Sequence, residues 1–141
     1  MFFCSPCTFN YATAHARQQI DYYQPTGFEA AGPLVIFIHG GSWRWQDRTT
    51  VPPSILALRD HGYAVASLGY RLLRDDNFSP SNRFPAQIHD VKAAVRWLKA
   101  NAANLYLDPE RFIATGYSAG GHLASLLATT TDTHQSQFEG S

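Results

Sequence analysis

Arg111-Phe-Ile-Ala-Thr-Gly-Tyr-Ser-Ala-Gly-Gly-His-Leu-Ala124 is the stretch whose reading decides the fold. Its first five residues, Arg111 to Thr115, are short, apolar and β-prone, as a strand covered on both faces should be. From Ala119 to about Thr130 the chain is rich in Ala and Leu and reads as a helix. Between them lies Gly116-Tyr117-Ser118-Ala119-Gly120, a G-x-S-x-G sequence. A sharp strand-to-helix turn strains the serine backbone and brings strand and helix close together, so bulky neighbours would clash. The helix that follows aims its first N–H groups back at the serine and favours negative charge there. G-x-S-x-G alone is weak, because a serine in an ordinary Gly-rich turn also matches it. With a strand before it and a helix after it, Ser118 becomes a candidate nucleophile.

A second stretch, His39-Gly40-Gly41-Ser42-Trp43, directly follows the continuously apolar run Pro33–Ile38. Acyl transfer through a tetrahedral intermediate requires N–H donors aimed at the future oxyanion, and glycines let a backbone approach the reacting carbon closely. His39 invites a reading as a base, but a histidine leading into a Gly-rich loop is more often a hydrogen-bonded structural residue. Trp43 and Trp45 either wall a pocket or pack in the core. His39, Gly40, Trp43 and Tyr117 are pocket candidates.

Working outward, Gln18–Tyr23 and Tyr63–Leu68 also read as strands, and Pro52–His61 as a helical stretch capped by Gly62. The clearest helix runs from about Pro85 to Ala102. Ile88, Val91, Val95, Leu98 and Ala102 recur at helical spacing, and Lys92, Arg96 and Lys99 fall toward the other face. Strands alternating with helices indicate α/β crossover units and a mostly parallel sheet. Residues 1–17 read as a loose terminal segment and 18–141 as part of one domain. Cys4 and Cys7 form a C-x-x-C pair within it, without a second ligand pair or a strand-and-helix frame, so two plain thiols are expected. No metal or cofactor is expected.

Composition narrows the partners. Hydrophobic residues at 45% suffice for a core, and 11 basic against 11 acidic residues leave no electrostatic footprint for nucleic acid or an anionic membrane. The longest apolar run is far shorter than a bilayer span, and the first Lys or Arg is Arg17, which suits no secretory leader. A cytoplasmic location is the expectation.

Together these motifs resemble the α/β-hydrolase superfamily, in particular its carboxylesterase/lipase branch with an H-G-G-x-W loop, near the feruloyl-esterase-like and acetyl-esterase-like group. Further matches are Tyr70-Arg71-Leu72, Phe84-Pro85-Ala86-Gln87-Ile88, Asp90, Ala93–Leu98, Asp108-Pro109-Glu110-Arg111 and Ser118–Ala124. The resemblance implies Ser118 as nucleophile, backbone N–H groups of Gly41, Ser42 and Ala119 as oxyanion donors, and a small-molecule ester as substrate. Kynurenine formamidases are nearby, which makes amide or formamide hydrolysis the runner-up; a non-catalytic binding module that kept the elbow is a third reading.

The family orders its triad Ser, then Asp or Glu, then His. Here Asp132 and His134 follow a helix whose far end lies ~18 Å from the serine at 1.5 Å per residue. His122 is one turn from Ser118 without an acid to orient it, and His89 with Asp90 falls on the long helix, where a solvated face is expected. The resemblance therefore implies an N-terminal part of a serine esterase, truncated after the elbow helix, with acid and base beyond residue 141. Such a chain would leave the Phe112–Ala114 strand as an open edge, prone to self-association.

Overall fold

The computed structural model describes residues 4–27 and 30–130. Its centre is a five-stranded sheet in the order β1-β2-β4-β3-β5, formed by β1 (Cys7–Asn10), β2 (Gln19–Tyr23), β3 (Gly32–Ile38), β4 (Ala64–Leu68) and β5 (Leu107–Gly116). β3 pairs in parallel with β4 on one side and β5 on the other, whereas β1 and β2 join antiparallel. The sheet is thus mixed, its parallel part coinciding with the crossover units expected from the sequence. Among the described residues, α1 (Pro53–Leu56), continued as a 3₁₀ turn to His61, lies between β3 and β4; α2 (Asp75–Phe78), a single turn, a 3₁₀ turn at Pro80–Asn82 and α3 (Ala86–Ala100) lie between β4 and β5; and α4 (Ala119–Thr129) follows β5. Gly62 ends the first connection with φ 87°, the left-handed cap that glycine provides without strain.

Strand alternation decides which face carries the core. Ile20 and Tyr22 of β2, Leu34, Ile36 and Ile38 of β3, and Ala64, Ala66 and Leu68 of β4 point to one face. There they meet Ile88, Val91, Ala94 and Leu98 of α3 and Leu123 of α4, all buried. The opposite face is more polar. Asp21 accepts from Arg48 Nε at 2.8 Å, and Ser67 Oγ donates to the Arg48 carbonyl at 2.6 Å, which ties the loop after β3 across the sheet.

Asp90, expected on a solvated face, is buried at 2% side-chain exposure. Its carboxylate accepts from Gln18 Nε2 at 3.0 Å, from the Arg71 backbone N–H at 2.9 Å and from Arg71 Nη2 at 2.8 Å. A buried charge is tolerable only when paired and fully hydrogen-bonded, and removing one partner of such a pair costs about 3–5 kcal/mol. The network joins the start of α3, the exit of β4 and the entry of β2. Lys92 likewise departs from the exposed face expected for it: it is 6% exposed, and its ammonium donates to the Thr130 carbonyl at the end of α4, where helix carbonyls lack partners.

The N-terminal segment also differs from expectation. Cys7–Asn10 forms a strand on the free edge of β2, and Cys4 and Cys7 are joined by a disulfide, with Cys7 4% exposed. Four residues are too few for a periodic pattern, so the strand is fixed by backbone pairing that hydropathy does not reveal. At the other side of the sheet β5 pairs only with β3 among the described residues, and Ile113 is 47% exposed.

Candidate active site

β5 ends at Gly116 and α4 begins at Ala119, so the chain reverses over Tyr117 and Ser118. Ser118 takes φ 55°, ψ −118°, a combination a side chain rarely adopts. Packing holds it there. A Cβ on Gly120 would overlap the Ile38 carbonyl oxygen, so the first turn of α4 presses directly on the end of β3. Only glycine permits that approach. The Ser118 carbonyl accepts from His122 N at 3.1 Å, and Tyr117 O from Gly120 N at 2.9 Å, closing the first helical turn. The Ser118 side chain faces solvent, as does Tyr117, which is 72% exposed.

The loop after β3 runs against this turn. A Cβ on Gly40 would lie 2.7 Å from the Tyr117 carbonyl and 3.4 Å from Ser118 Cβ, so here too the backbones meet without room for a side chain. Gly41, at φ 106°, turns its carbonyl inward, where it accepts from Arg44 N and Trp45 N, each at 2.9 Å. Ser42 and Trp43 follow with φ 53° and 58°, a run of left-handed residues that holds the loop in a tight curl. The backbone N–H groups of Gly41, Ser42 and Ala119 donate no hydrogen bond among the described residues. Two of them lie on the loop that abuts Ser118 and the third at its own helix start.

His39 is structural in its contacts. It is 1% exposed, its ring stacks on Tyr70 with centroids 4.3 Å apart, and Tyr70 Oη donates to the His39 carbonyl at 2.8 Å. Nδ1 lies 2.7 Å from the Gly40 carbonyl, which can only accept, so Nδ1 carries the proton and Nε2 is left as a buried acceptor without a partner. Burial pushes the His39 imidazole below its ordinary value and keeps it neutral, partly opposed by the Gly40 bond.

The remaining histidine near the serine, His122, is exposed and packs edge-on against Trp43, centroids 5.3 Å apart, with no carboxylate partner among the described residues. Trp43 is half-buried, and its carbonyl accepts from Leu73 N at 2.8 Å, which couples the loop to the segment after β4. Trp45 is 54% exposed with the Arg74 guanidinium 4.3 Å over its ring. Asp132 and His134 lie outside the described residues. Sequence reasoning missed the wall that faces Trp43 and His122, namely Leu73, Phe84 and Gln87, because it comes from a long loop and the next helix rather than from a contiguous motif. Phe84 and Gln87 did stand out in the family pattern, the one signal that could have found them. Among the described residues no group of three or more His, Cys, Asp or Glu could hold a metal ion, and no helix is long and apolar enough to cross a membrane.

Residues 20–141 match the family model BD-FAE. The chain belongs to the BD-FAE family. Among curated proteins, this BD-FAE chain is 34% identical over 108 residues to Esterase LipC of Mycobacterium tuberculosis, an alignment covering 76% of the chain and 25% of LipC. It is 38% identical over 97 residues to Carboxylesterase NlhH of the same organism, covering 68% of the chain and 28% of NlhH. Among solved structures, Esterase B from Lactobacillus rhamnosis superposes with a TM-score of 0.81 at 36% identity, over 94% of this chain and 42% of that one. The fold is therefore that of the α/β-hydrolase esterases, and the chain spans about a quarter of the length of LipC and NlhH.

The neutral, buried His39 generates a prediction with a definite sign. The unfolded chain binds the proton at about pH 6.5 and the folded chain below that. The stability this group contributes is whole above pH 6.5 and is lost as pH falls through the folded value. Urea unfolding at pH 7.5, 6.5 and 5.5 should show stability declining on the acid side. His39→Gln should flatten that decline between pH 6.5 and 5.5, and an unchanged slope in the variant would assign the decline to other groups.

Proposed function

We propose that the chain carries the nucleophile and oxyanion hole of a carboxylic-ester hydrolase working through an acyl-enzyme on Ser118. The observation that supports this best is the strained Ser118 turn beside three unpaired backbone N–H groups, those of Gly41, Ser42 and Ala119. Relatives whose printed names are esterase and carboxylesterase support the same reaction class.

In this reading the Ser118 hydroxyl oxygen attacks the ester carbonyl carbon while an imidazole takes its proton. The carbonyl oxygen becomes an oxyanion and accepts from Ala119 N–H and from Gly41 or Ser42 N–H. Collapse of the intermediate breaks the bond to the alcohol oxygen, which leaves with the proton that the imidazole returns. Water then repeats the sequence on the acyl-enzyme, releases the carboxylic acid and restores Ser118. His39 is sealed and tied to Gly40, and His122 has no acid behind it, so this proposal takes the imidazole and its orienting carboxylate from outside the described residues. The substrate is a small-molecule ester.

Self-association belongs to the same proposal. The β5 edge presents, at Phe112, Ile113 and Ala114, backbone groups with no strand partner beyond β3 among the described residues; the charges and the proline of β5 lie in its first half, Asp108–Arg111, and pairing of the apolar half with a second copy would satisfy those groups. Sedimentation of residues 1–141 should show oligomers that dissociate when Ile113 is replaced by Lys; a clean monomer of 15.7 kDa would refute the edge contact.

The nucleophile is tested by covalent labelling. In the complete polypeptide a fluorophosphonate should modify Ser118, and Ser118→Ala should lose the label and on the order of 10⁴–10⁶ in turnover of p-nitrophenyl acetate while keeping its fold. Equal labelling of the two proteins would remove Ser118 from the mechanism.

A further inference from the structure

The two sources of candidate oxyanion donors, the loop after β3 and the start of α4, meet at one carbonyl. The His39 oxygen, just past the end of β3, faces the first turn of α4, where a Cβ on Gly120 would stand 2.6 Å from it. Tyr70 Oη donates to that oxygen at 2.8 Å, and the phenol ring lies parallel to the His39 imidazole, with 10° between planes and centroids 4.3 Å apart. Tyr70 is fully buried. With its carbonyl and ring both held, His39 reaches the Gly40 carbonyl through Nδ1 at 2.7 Å. A peptide unit is planar and trans, so the Gly41 N–H points opposite to the Gly40 carbonyl, and fixing one fixes the other. Tyr70 is itself pinned on both sides in the chain. Gly69 N donates to the Gln19 carbonyl at 2.8 Å, the Gly69 carbonyl accepts from Tyr11 Oη at 2.7 Å, and a Cβ there would stand 2.3 Å from the Arg17 carbonyl. On the other side Arg71 N donates to Asp90 Oδ2 at 2.9 Å.

We propose that Tyr70 is a positioning residue for the oxyanion hole, acting through His39 to aim the Gly41 N–H and to set how closely the loop approaches Ala119. The proposal rests on the Ser118 reading. Tyr70 is sealed from substrate, so its contribution is geometric. Donors held at a fixed distance are strong because they need not reorganise as charge develops, and a displacement of about 1 Å can cost on the order of a hundredfold in rate. Burial pushes the Tyr70 hydroxyl above the ordinary phenol value, partly opposed by the Arg17 charge, so the group keeps its proton and remains a donor. Phenylalanine at this position retains the stacked ring and removes only the hydrogen bond to the His39 carbonyl. Tyr22 supplies a matched control. It is 1% exposed, and its hydroxyl donates to the Leu105 carbonyl at 2.9 Å, on a segment that carries none of the three candidate donors.

Kinetics of the complete polypeptide separate positioning from stability. Tyr70→Phe should lower kcat for p-nitrophenyl acetate about tenfold to a hundredfold with KM nearly unchanged, the pattern of an interaction realised only in the transition state. A trifluoromethyl ketone, whose adduct with serine carries an oxyanion, should bind more weakly by the same factor. The loss should be constant from about pH 6 to about pH 9, because the missing hydroxyl does not titrate there. Tyr22→Phe should melt below the parent and keep the parental kcat. A Tyr70→Phe kcat like the parent's, a loss carried by KM alone, or an equal kcat loss in Tyr22→Phe would overturn the assignment. Should Tyr70→Phe not fold, Tyr11→Phe, which frees the Gly69 carbonyl beside Tyr70, makes the same test: a smaller kcat loss at parental KM supports the role, and a parental kcat overturns it. Ser118→Ala, measured alongside, tells the two readings apart. If it keeps parental turnover, the Ser118 reading falls and the positioning role with it; an inactive Ser118→Ala beside a fully active Tyr70→Phe removes Tyr70 alone.

Discussion

Everything at the candidate site depends on one backbone contact: the first turn of α4 pressed onto the end of β3, where Gly120 meets the Ile38 carbonyl. That contact places a helix N-terminus, a strand end and the loop after the strand within one small volume. Ser118 is held in its strained conformation because the strand behind it and the helix ahead of it are both anchored, β5 by its parallel pairing with β3 and α4 by packing on β3, β5 and α3. The free energy stored in that backbone comes from the core, where Ile36, Ile38, Ile88 and Leu123 are at most 1% exposed. Even a methyl group at Gly120 would push the two elements apart.

The loop that supplies two of those groups is anchored in turn from three directions. His39 stacks on Tyr70, the Trp43 carbonyl is held by Leu73, and the Arg71–Asp90 pair fixes the segment on which Tyr70 and Leu73 lie. Asp90 in particular is a buried carboxylate with both oxygens partnered, and such networks define one arrangement because any slip leaves a charge or a donor unpaired. Rigidity of this kind is what an oxyanion hole needs, since donors that must reorganise during the reaction lose most of their value.

How much of this was legible in the sequence follows from how local each signal is. β3, β4 and the second half of β5 are largely apolar runs, and α3 shows a full helical stripe, so these stood out, whereas the first half of β5, with Asp108, Pro109 and Glu110, carries no strand pattern. The Ser118 turn and the Gly-rich loop were legible because their glycines and small residues are contiguous. Asp90 was misjudged because its partners, Arg71 and Gln18, stand 19 and 72 residues away, and one-dimensional spacing cannot show a buried pair. Lys92 misled for the same reason, its partner being the last carbonyl of α4. β1 and the Cys4–Cys7 disulfide were hidden by the brevity of the strand and by its dependence on an edge supplied by β2. The wall opposite Trp43 and His122 was hidden because Leu73, Phe84 and Gln87 reach the same cavity from a loop and a helix.

The central claim is that Ser118 and the unpaired N–H groups of Gly41, Ser42 and Ala119 converge on one tetrahedral centre. A crystal structure of the complete polypeptide inactivated with an alkyl phosphonate tests it most directly, because the phosphonyl oxygen stands where the oxyanion forms. The account predicts phosphorus bonded to Ser118 Oγ. It also predicts that oxygen about 2.7–3.1 Å from Ala119 N and from Gly41 N or Ser42 N. An adduct on Ser118 whose oxygen points to solvent, or an adduct on another residue, would contradict it.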